Sequence, residues 1–203
     1  MKLYYSPGSC GLASQIALRE AQQAFDLVAV DFKTKTTREG DYLQVTPKGF
    51  VPALKLENGD VLTESAVILQ WIADRNPSAN LLPPFGERAR YEGLEWLNFV
   101  ATDLHKNFAV LFSPVLDAPT KARFGRVHLT SKFDYVDAHL TTRDYLLGDN
   151  FSVADAYLYN VLTWAPRVSL DIGGYAAIQA FMARIERRPS VQAALKAEGL
   201  SPS

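Results

Sequence analysis

The sequence predicts an α/β domain in βαβ-ββα order over residues 1–78, a linker at 79–86 and an all-α domain over 87–203. Three observations carry that division. The opening Lys2-Leu3-Tyr4-Tyr5 run leads through turn residues into a helical stretch and then into the apolar run Leu27–Phe32. Asn58-Gly59 separates two runs of alternating character. Beyond Gly86 the apolar residues recur with helical spacing only.

Ser6-Pro7-Gly8-Ser9 are turn and capping types, and Cys10, the only cysteine, falls at the start of the helix that follows. A thiol there faces the unpaired N–H groups of the first helical turn, which favour the thiolate. The competing role for a lone cysteine is that of a small buried hydrophobe. Strand, helix and strand within about 30 residues form a βαβ unit, whose strands lie parallel with a right-handed crossover. Lys33–Gly40 is polar and aperiodic, a loop carrying Lys33, Lys35 and Arg38, and this region has room for a short helix. After Thr46-Pro47-Lys48-Gly49, the runs Phe50–Glu57 and Asp60–Thr63 flank Asn58-Gly59, the pattern of a two-residue type I′ hairpin. Pro52 stands where the first of these strands starts, a place open to trans and cis proline alike. Thr63-Glu64-Ser65 opens a helix through Asp74 that closes before Asn76-Pro77. From Pro77 to Gly86 the composition turns to Asn, Ser, Pro and Gly, the mark of a linker.

In the second half, Leu97, Ala101, Leu104, Phe108 and Leu111 form one apolar stripe on a long helix. Asn98, Thr102 and His105 form the neighbouring stripe, so they point the same way and can address one ligand. Ser113-Pro114 ends that helix, and residues 120–140 give another. In Phe151-Ser152-Val153-Ala154-Asp155, Ser152 caps a helix while Asp155 reaches back to the cap N–H. Asp155 therefore reads as a structural acid. The helix it begins, through Trp164, is apolar nearly all round and hence central. Helices at 178–185 and 191–196 complete the domain.

Lys plus Arg (21) nearly balance Asp plus Glu (22), so no long-range field draws the chain to nucleic acid or an anionic membrane. One cysteine leaves no intramolecular disulfide and favours a reducing compartment. The N-terminal apolar run is too short for a signal-peptide core, and no run approaches the roughly 18 apolar residues of a membrane span. The expected setting is the cytoplasm.

The βαβ-ββα half, Val51-Pro52, Glu64-Ser65 and the Ser152-x-x-Asp155 box in a helical half together resemble the cytosolic glutathione S-transferases, with their thioredoxin-like first domain. The likeness spans essentially the whole chain and looks like the bacterial beta class. Its carriers are Lys-Leu-Tyr-Tyr-Ser-Pro-Gly-Ser-Cys (2–10), Pro-Lys-Gly-x-Val-Pro (47–52), Leu-Thr-Glu (62–64), Glu-Trp-Leu-Asn-Phe (95–99), His105-Lys106, Ala-Asp-Ala-Tyr-Leu (154–158) and Leu-Lys-Ala-Glu-Gly-Leu (195–200). Asn107-Phe108-Ala109-Val110 and Ser65-Ala66 depart from runs common in that class.

The resemblance implies a homodimeric enzyme that adds the glutathione thiol to small hydrophobic electrophiles, with glutathione as co-substrate and no metal. It implies Cys10 and His105 as catalytic groups, His105 coming from the second domain. It places glutathione against Lys35, Val51, Pro52 (after a cis bond), Glu64 and Ser65. Asn98, Asp103 and Lys106 are implied contacts to the same or the neighbouring subunit's glutathione. Phe108, Leu111 and Trp164 are implied to line an acceptor pocket between the domains. The chemistry agrees: the start of the Ser65 helix suits the γ-glutamyl carboxylate, Glu64 suits the ammonium, and Lys35 is either a partner for the glycyl carboxylate or a solvated loop lysine. Because Cys10-Gly11-Leu12-Ala13 is not Cys-x-x-Cys, a two-cysteine redox cycle is excluded. Cys10 is left either to donate a hydrogen bond or to form a mixed disulfide with glutathione. Two rival readings remain: a glutathione-dependent thiol–disulfide reductase or reductive dehalogenase, and a non-enzymatic ligand-binding member of the fold.

Overall fold

In chain order the first part of the molecule is β1 (Lys2–Tyr5), α1 (Gly11–Glu20), β2 (Asp26–Ala29), β3 (Thr36–Thr37), β4 (Gly40–Asp41), β5 (Ala53–Lys55), β6 (Val61–Thr63) and α2 (Ser65–Arg75). This is a computed structural model that describes residues 1–201. The sheet has the order β2-β1-β5-β6. β1 runs parallel to β2, with Tyr4 opposite Val28, and antiparallel to β5, with Tyr4 opposite Ala53. β5 and β6 pair antiparallel, Ala53 opposite Thr63. Strand alternation sends Tyr4, Val28 and Ala53 to one face, where they pack with Val30, Tyr42 and Val51. Leu3 and Leu54 belong to the opposite face and are fully buried.

Two local expectations change. β2 stops at Ala29 rather than running to Phe32, because Asp31 Oδ1 accepts from the N–H groups of Lys33 and Thr34 and turns the chain. The Asn58-Gly59 connection is not type I′, which needs positive φ at both central residues. Only Gly59 has it (φ 94°). Leu56 accepts from Gly59 N and donates to Asp60 O, so Glu57, Asn58 and Gly59 form a three-residue loop. The polar 33–40 segment holds the small β3–β4 hairpin, and Tyr42–Gln44 forms the short helical turn there was room for.

Beyond α2 the chain gives α3 (Arg88–Phe99), a π-helical turn (Val100–His105), α4 (Lys106–Phe112), α5 (Ala118–Thr120), a second π-helical turn (Lys121–Arg126), α6 (Val127–Leu140), α7 (Val153–Leu162), α8 (Ala176–Glu186) and α9 (Pro189–Glu198). Every residue of α7 is buried, as its all-round apolar character requires. Asp155 is buried with it and accepts from Leu146 N, Ser152 N and the Ser152 hydroxyl at 2.8, 2.8 and 2.6 Å. Burial pushes its pKa up to about 6 against those hydrogen bonds.

The long helix expected across Leu97–Leu111 is interrupted by its π turn. Val100, absent from the expected stripe, is fully buried with Leu104 and Phe108, whereas Ala101 is half-buried. The second π turn lies against α4, and Gly125 lets it approach: a Cβ there would sit 2.4 Å from Leu111 Cδ2.

The chain divides into two compact units, Met1–Leu82 with Arg188–Ser203, and Pro83–Arg187. The sequence assigns residues 188–203 to the helical domain, whereas here they belong to the unit built on the sheet. The physical cause is polar as well as apolar. Arg188 forms a two-pronged ion pair with Glu20 of α1 at 2.7 and 2.9 Å, and the Ser190 hydroxyl also donates to Glu20. At the other end of α9, Glu198 accepts from Gly8 N and Gln15 Nε2.

Candidate functional site

In the sheet unit, β1 ends in a turn that Ser9 closes. Its hydroxyl accepts from Gly11 N and Ser6 N at 3.3 and 3.4 Å, and Gly8 adopts φ 69°. Cys10 stands at the cap of α1 but makes no side-chain cap bond, contrary to the expectation that its thiol faces the helix N–H groups. Instead Sγ donates to the Val51 carbonyl at 3.2 Å, and the side chain is 8% exposed. A thiolate at that spot would oppose the carbonyl lone pairs, so this contact belongs to the protonated thiol.

The Val51-Pro52 bond is cis. Because Ala53 pairs with Thr63, Val51-Pro52 and Glu64-Ser65 lie at the same end of the β5–β6 pair. Glu64 takes φ 71°, the left-handed side of the map, just before α2 begins at buried Ser65. Its carboxylate accepts from Lys48 Nζ at 2.7 Å, and the same ammonium donates to Thr63 Oγ1. In the sequence Lys48 stands out only as part of the Pro47–Pro52 motif, yet it holds the acid expected to meet an ammonium. Lys35, also at positive φ, donates to Gly49 O at 2.9 Å and lies 4.9 Å from the Phe32 ring centroid, so it is held and not freely solvated.

The helical unit holds the remaining candidates. His105 ends the first π turn, and its Nδ1 lies 2.7 Å from the Tyr157 hydroxyl. With the phenol as donor the ring carries its proton at Nε2 and offers a hydrogen bond there; with the phenol as acceptor Nε2 is a base. Trp164 stands edge-on to His105 at 4.8 Å, and Phe108 and Phe112 each lie 5.8 Å from Trp164. Tyr157 and Phe112 join this cluster although the sequence reading did not single them out. A buried tyrosine on an all-apolar helix looks like core until its hydroxyl is seen to have a partner.

The other helical candidates have surroundings of their own. Asn98 and Thr102 are exposed, and the single Thr102 hydroxyl proton lies within reach of both the Asn98 carbonyl and the Asp103 carboxylate, at 3.0 and 2.9 Å. Thr102 and His105 lie within the Val100–His105 turn, whose i to i+5 hydrogen bonding breaks the expected α-helical stripe. Asp103 forms an ion pair with Lys132 at 2.7 Å, and that bond holds its carboxyl below the usual range. Lys106 is exposed. Leu111 is buried against Gly125. Among the described residues there is no metal-ligating cluster, and no helix is long and apolar enough to cross a membrane.

Residues 9–75 match the family described as glutathione S-transferase, N-terminal domain, and residues 124–189 match glutathione S-transferase, C-terminal domain. The glutathione S-transferase GstA of Escherichia coli O157:H7 is 48% identical over 202 residues, covering 98% of this chain and 100% of that protein. The chain belongs to the glutathione S-transferases.

Solved structures agree and refine the class. A sphingomonad glutathione S-transferase complexed with glutathione superposes with TM-score 0.95 at 44% identity, covering 99% of this chain and 100% of the other. The bacterial beta-class glutathione S-transferase of Sphingomonas chungbukensis does so with TM-score 0.95 at 42% identity and the same coverage. This transferase is thus of the bacterial beta class, its co-substrate is glutathione, and its first domain is thioredoxin-like.

Proposed function

We propose that this glutathione transferase holds the tripeptide on the sheet unit through the Val51-Pro52 backbone, Glu64, Ser65 and Lys35, and joins its sulfur to small hydrophobic electrophiles. The observation that carries this is the junction of β1, β5 and β6: Cys10 Sγ, the Val51 carbonyl and the N-terminus of α2 are set by one strand register. The α2 N–H groups suit the γ-glutamyl carboxylate, and Glu64 exchanges the Lys48 ammonium for the ligand's own. Lys35 takes the glycyl carboxylate.

In the reaction the thiol proton of glutathione passes to His105 or to water, the sulfur lone pair forms a bond to carbon, and the electrophile's leaving group departs with its electron pair. Cys10 lowers the cost of the sulfur anion by turning its S–H from Val51 O to that sulfur, which makes it a donor and not a second nucleophile. His105 is the polar group of the aromatic cluster and acts as donor or proton acceptor. Phe108 and Trp164, with Phe112, supply the apolar contact for the electrophile. Asn98, Asp103 and Lys106 act, in this reading, on the outer edge of the glutathione site of the same or a partner subunit.

The test is conjugation of glutathione to a dinitrophenyl halide. The expected result is activity retained in part by Cys10→Ser and lost by roughly 100-fold in His105→Ala; unchanged kinetics in His105→Ala refute its role. A Cys10–glutathione adduct accumulating during turnover, seen by mass spectrometry, refutes the donor role of Cys10. We further propose a cytoplasmic homodimer. In the helical unit, exposed Tyr91 and Tyr135, with the groove of about 720 Å³ lined by Trp96, Phe99 and Tyr135, are the apolar surface a second copy would cover. Sedimentation at a single monomer mass refutes the dimer.

A further inference from the structure

We propose that Glu198 is a positioning residue: from the last helix it holds the turn that presents Cys10, and through that turn it sets the reactivity of the site without touching glutathione. This rests on the reading of Cys10 given above.

The starting observation is an acid on an apolar face. Val191, Ala194, Leu195 and Glu198 fall on one side of α9, and all four are buried. Glu198 Oε2 accepts from Gly8 N at 2.8 Å, and Oε1 accepts from Gln15 Nε2 at 2.9 Å. Gly8 lies two residues before Cys10 in the turn closed by Ser9.

The direction of these bonds is forced. Arg19 Nε and Nη2 both donate to Gln15 Oε1, at 3.2 and 3.1 Å, and a guanidinium has no acceptor. Gln15 therefore must present its NH₂ to Glu198, and a backbone N–H can only donate. Both carboxylate oxygens are committed as acceptors in a relay from Arg19 through Gln15 and Glu198 to Gly8. A proton on Glu198 has to displace one of the two donors or crowd beside it.

The groups facing Glu198 leave that proton near its balance point. Gly8 and Gln15 hold the carboxylate ionised, burial opposes them and prevails, and the pKa is pushed up to about 7. From β1, Tyr5 feels the carboxylate's charge, which adds to burial in raising its own pKa. Arg19 of α1 acts only through Gln15, and Arg188, at the cap of α9, is engaged with Glu20. No lysine or arginine among the described residues pairs with Glu198 directly. Its protonation near neutrality thus loosens the Gly8 anchor, and the turn carrying Cys10 becomes sensitive to pH.

The experiment replaces Glu198 by Gln, which fills the same space but must point its NH₂ at either Gly8 N–H or Gln15 Nε2. We expect kcat for conjugation to fall between about 10- and 100-fold, as for a small misplacement of a reacting group, with the glutathione Kd from calorimetry nearly unchanged. Because Cys10 is the only cysteine, alkylation of the whole protein reports its thiol alone. Its rate in the unaltered protein should show an inflection near pH 7 that E198Q lacks. Wild-type kcat with the inflection retained in E198Q overturns this role of Glu198. Should E198Q fail to fold, the Gly8 amide resonance of the unaltered protein decides: a shift titrating near pH 7 supports the anchor, and a flat response across neutrality overturns it. Absence of conjugation by the unaltered protein would instead strike the proposed function, since alkylation and the Gly8 resonance need no second substrate.

Discussion

Replacing Asp155 by alanine removes a carboxylate that is wholly buried and accepts three hydrogen bonds, two of them from the backbone N–H groups of Leu146 and Ser152. The donors left without this acceptor are Ser152 N at the start of a helix whose every residue is buried and Leu146 N in the segment before it. A hydrogen bond to a charged group contributes about 1.5–3 kcal/mol net. With three bonds sharing one carboxylate and not strictly additive, the loss at pH 7 should be about 4 kcal/mol. The pH dependence provides a second, independent signature. The folded pKa of about 6 lies above the ordinary 3.8, so between those values the folded chain binds more protons than the unfolded chain. The stabilisation from that proton uptake is complete below the unfolded pKa and disappears as pH rises through the folded one. Linkage over that window makes the difference between the two proteins about 1 kcal/mol larger at about pH 5 than at about pH 7. Urea denaturation of both proteins at the two pH values measures it. A difference below about 1 kcal/mol at neutrality, or one that shrinks on acidification, refutes the account of Asp155 as a buried capping acid.

Gly125→Ala drives a Cβ into Leu111, and overpacking of this kind costs about 1–3 kcal/mol. Calorimetry should show Tm lowered by roughly 2–10 °C for a chain of this length, and an unchanged Tm would mean that the second π turn simply moves aside. Tyr157→Phe leaves the ring in place but removes the partner of His105 Nδ1; kcat should drop about tenfold while the glutathione Kd stays put. Equal losses in kcat and binding would contradict an effect through the imidazole. Glu64→Gln should weaken glutathione binding about tenfold by titration calorimetry, and unaltered affinity would remove Glu64 from the site.

Much of the architecture was legible because local pattern and tertiary packing agree. The βαβ order, the β5–β6 hairpin and the capped, all-apolar α7 each follow from periodicity and capping types. Cys10, Val51 and Ser65 were also legible as a group, since they stand at ends of neighbouring strands. What escaped was whatever depends on a distant partner or a broken period. The π turn at Val100–His105 is hidden because an apolar stripe spaced by threes and fours tolerates one inserted residue. Tyr157 is hidden among core side chains, and Lys48 among exposed ones. α9 reads as one more helix of the helical half, but an acid on its apolar stripe was a usable sign that this face meets polar donors. The thiol's direction was misjudged for a related reason: helix-start electrostatics favour N–H groups, yet a carbonyl from another strand lies 3.2 Å away.

The return of α9 to the sheet unit has a consequence for biosynthesis. Gly8 and Glu198 are 190 positions apart, and so the turn beneath Cys10 gains its anchor only after those 190 residues have been added and have left the ribosome. At about 5–20 residues per second that interval is roughly 10–40 s. Throughout it the turn lacks the Glu198 carboxylate, and a chain stalled before α9 would carry α1 to α8 but an unmoored Cys10.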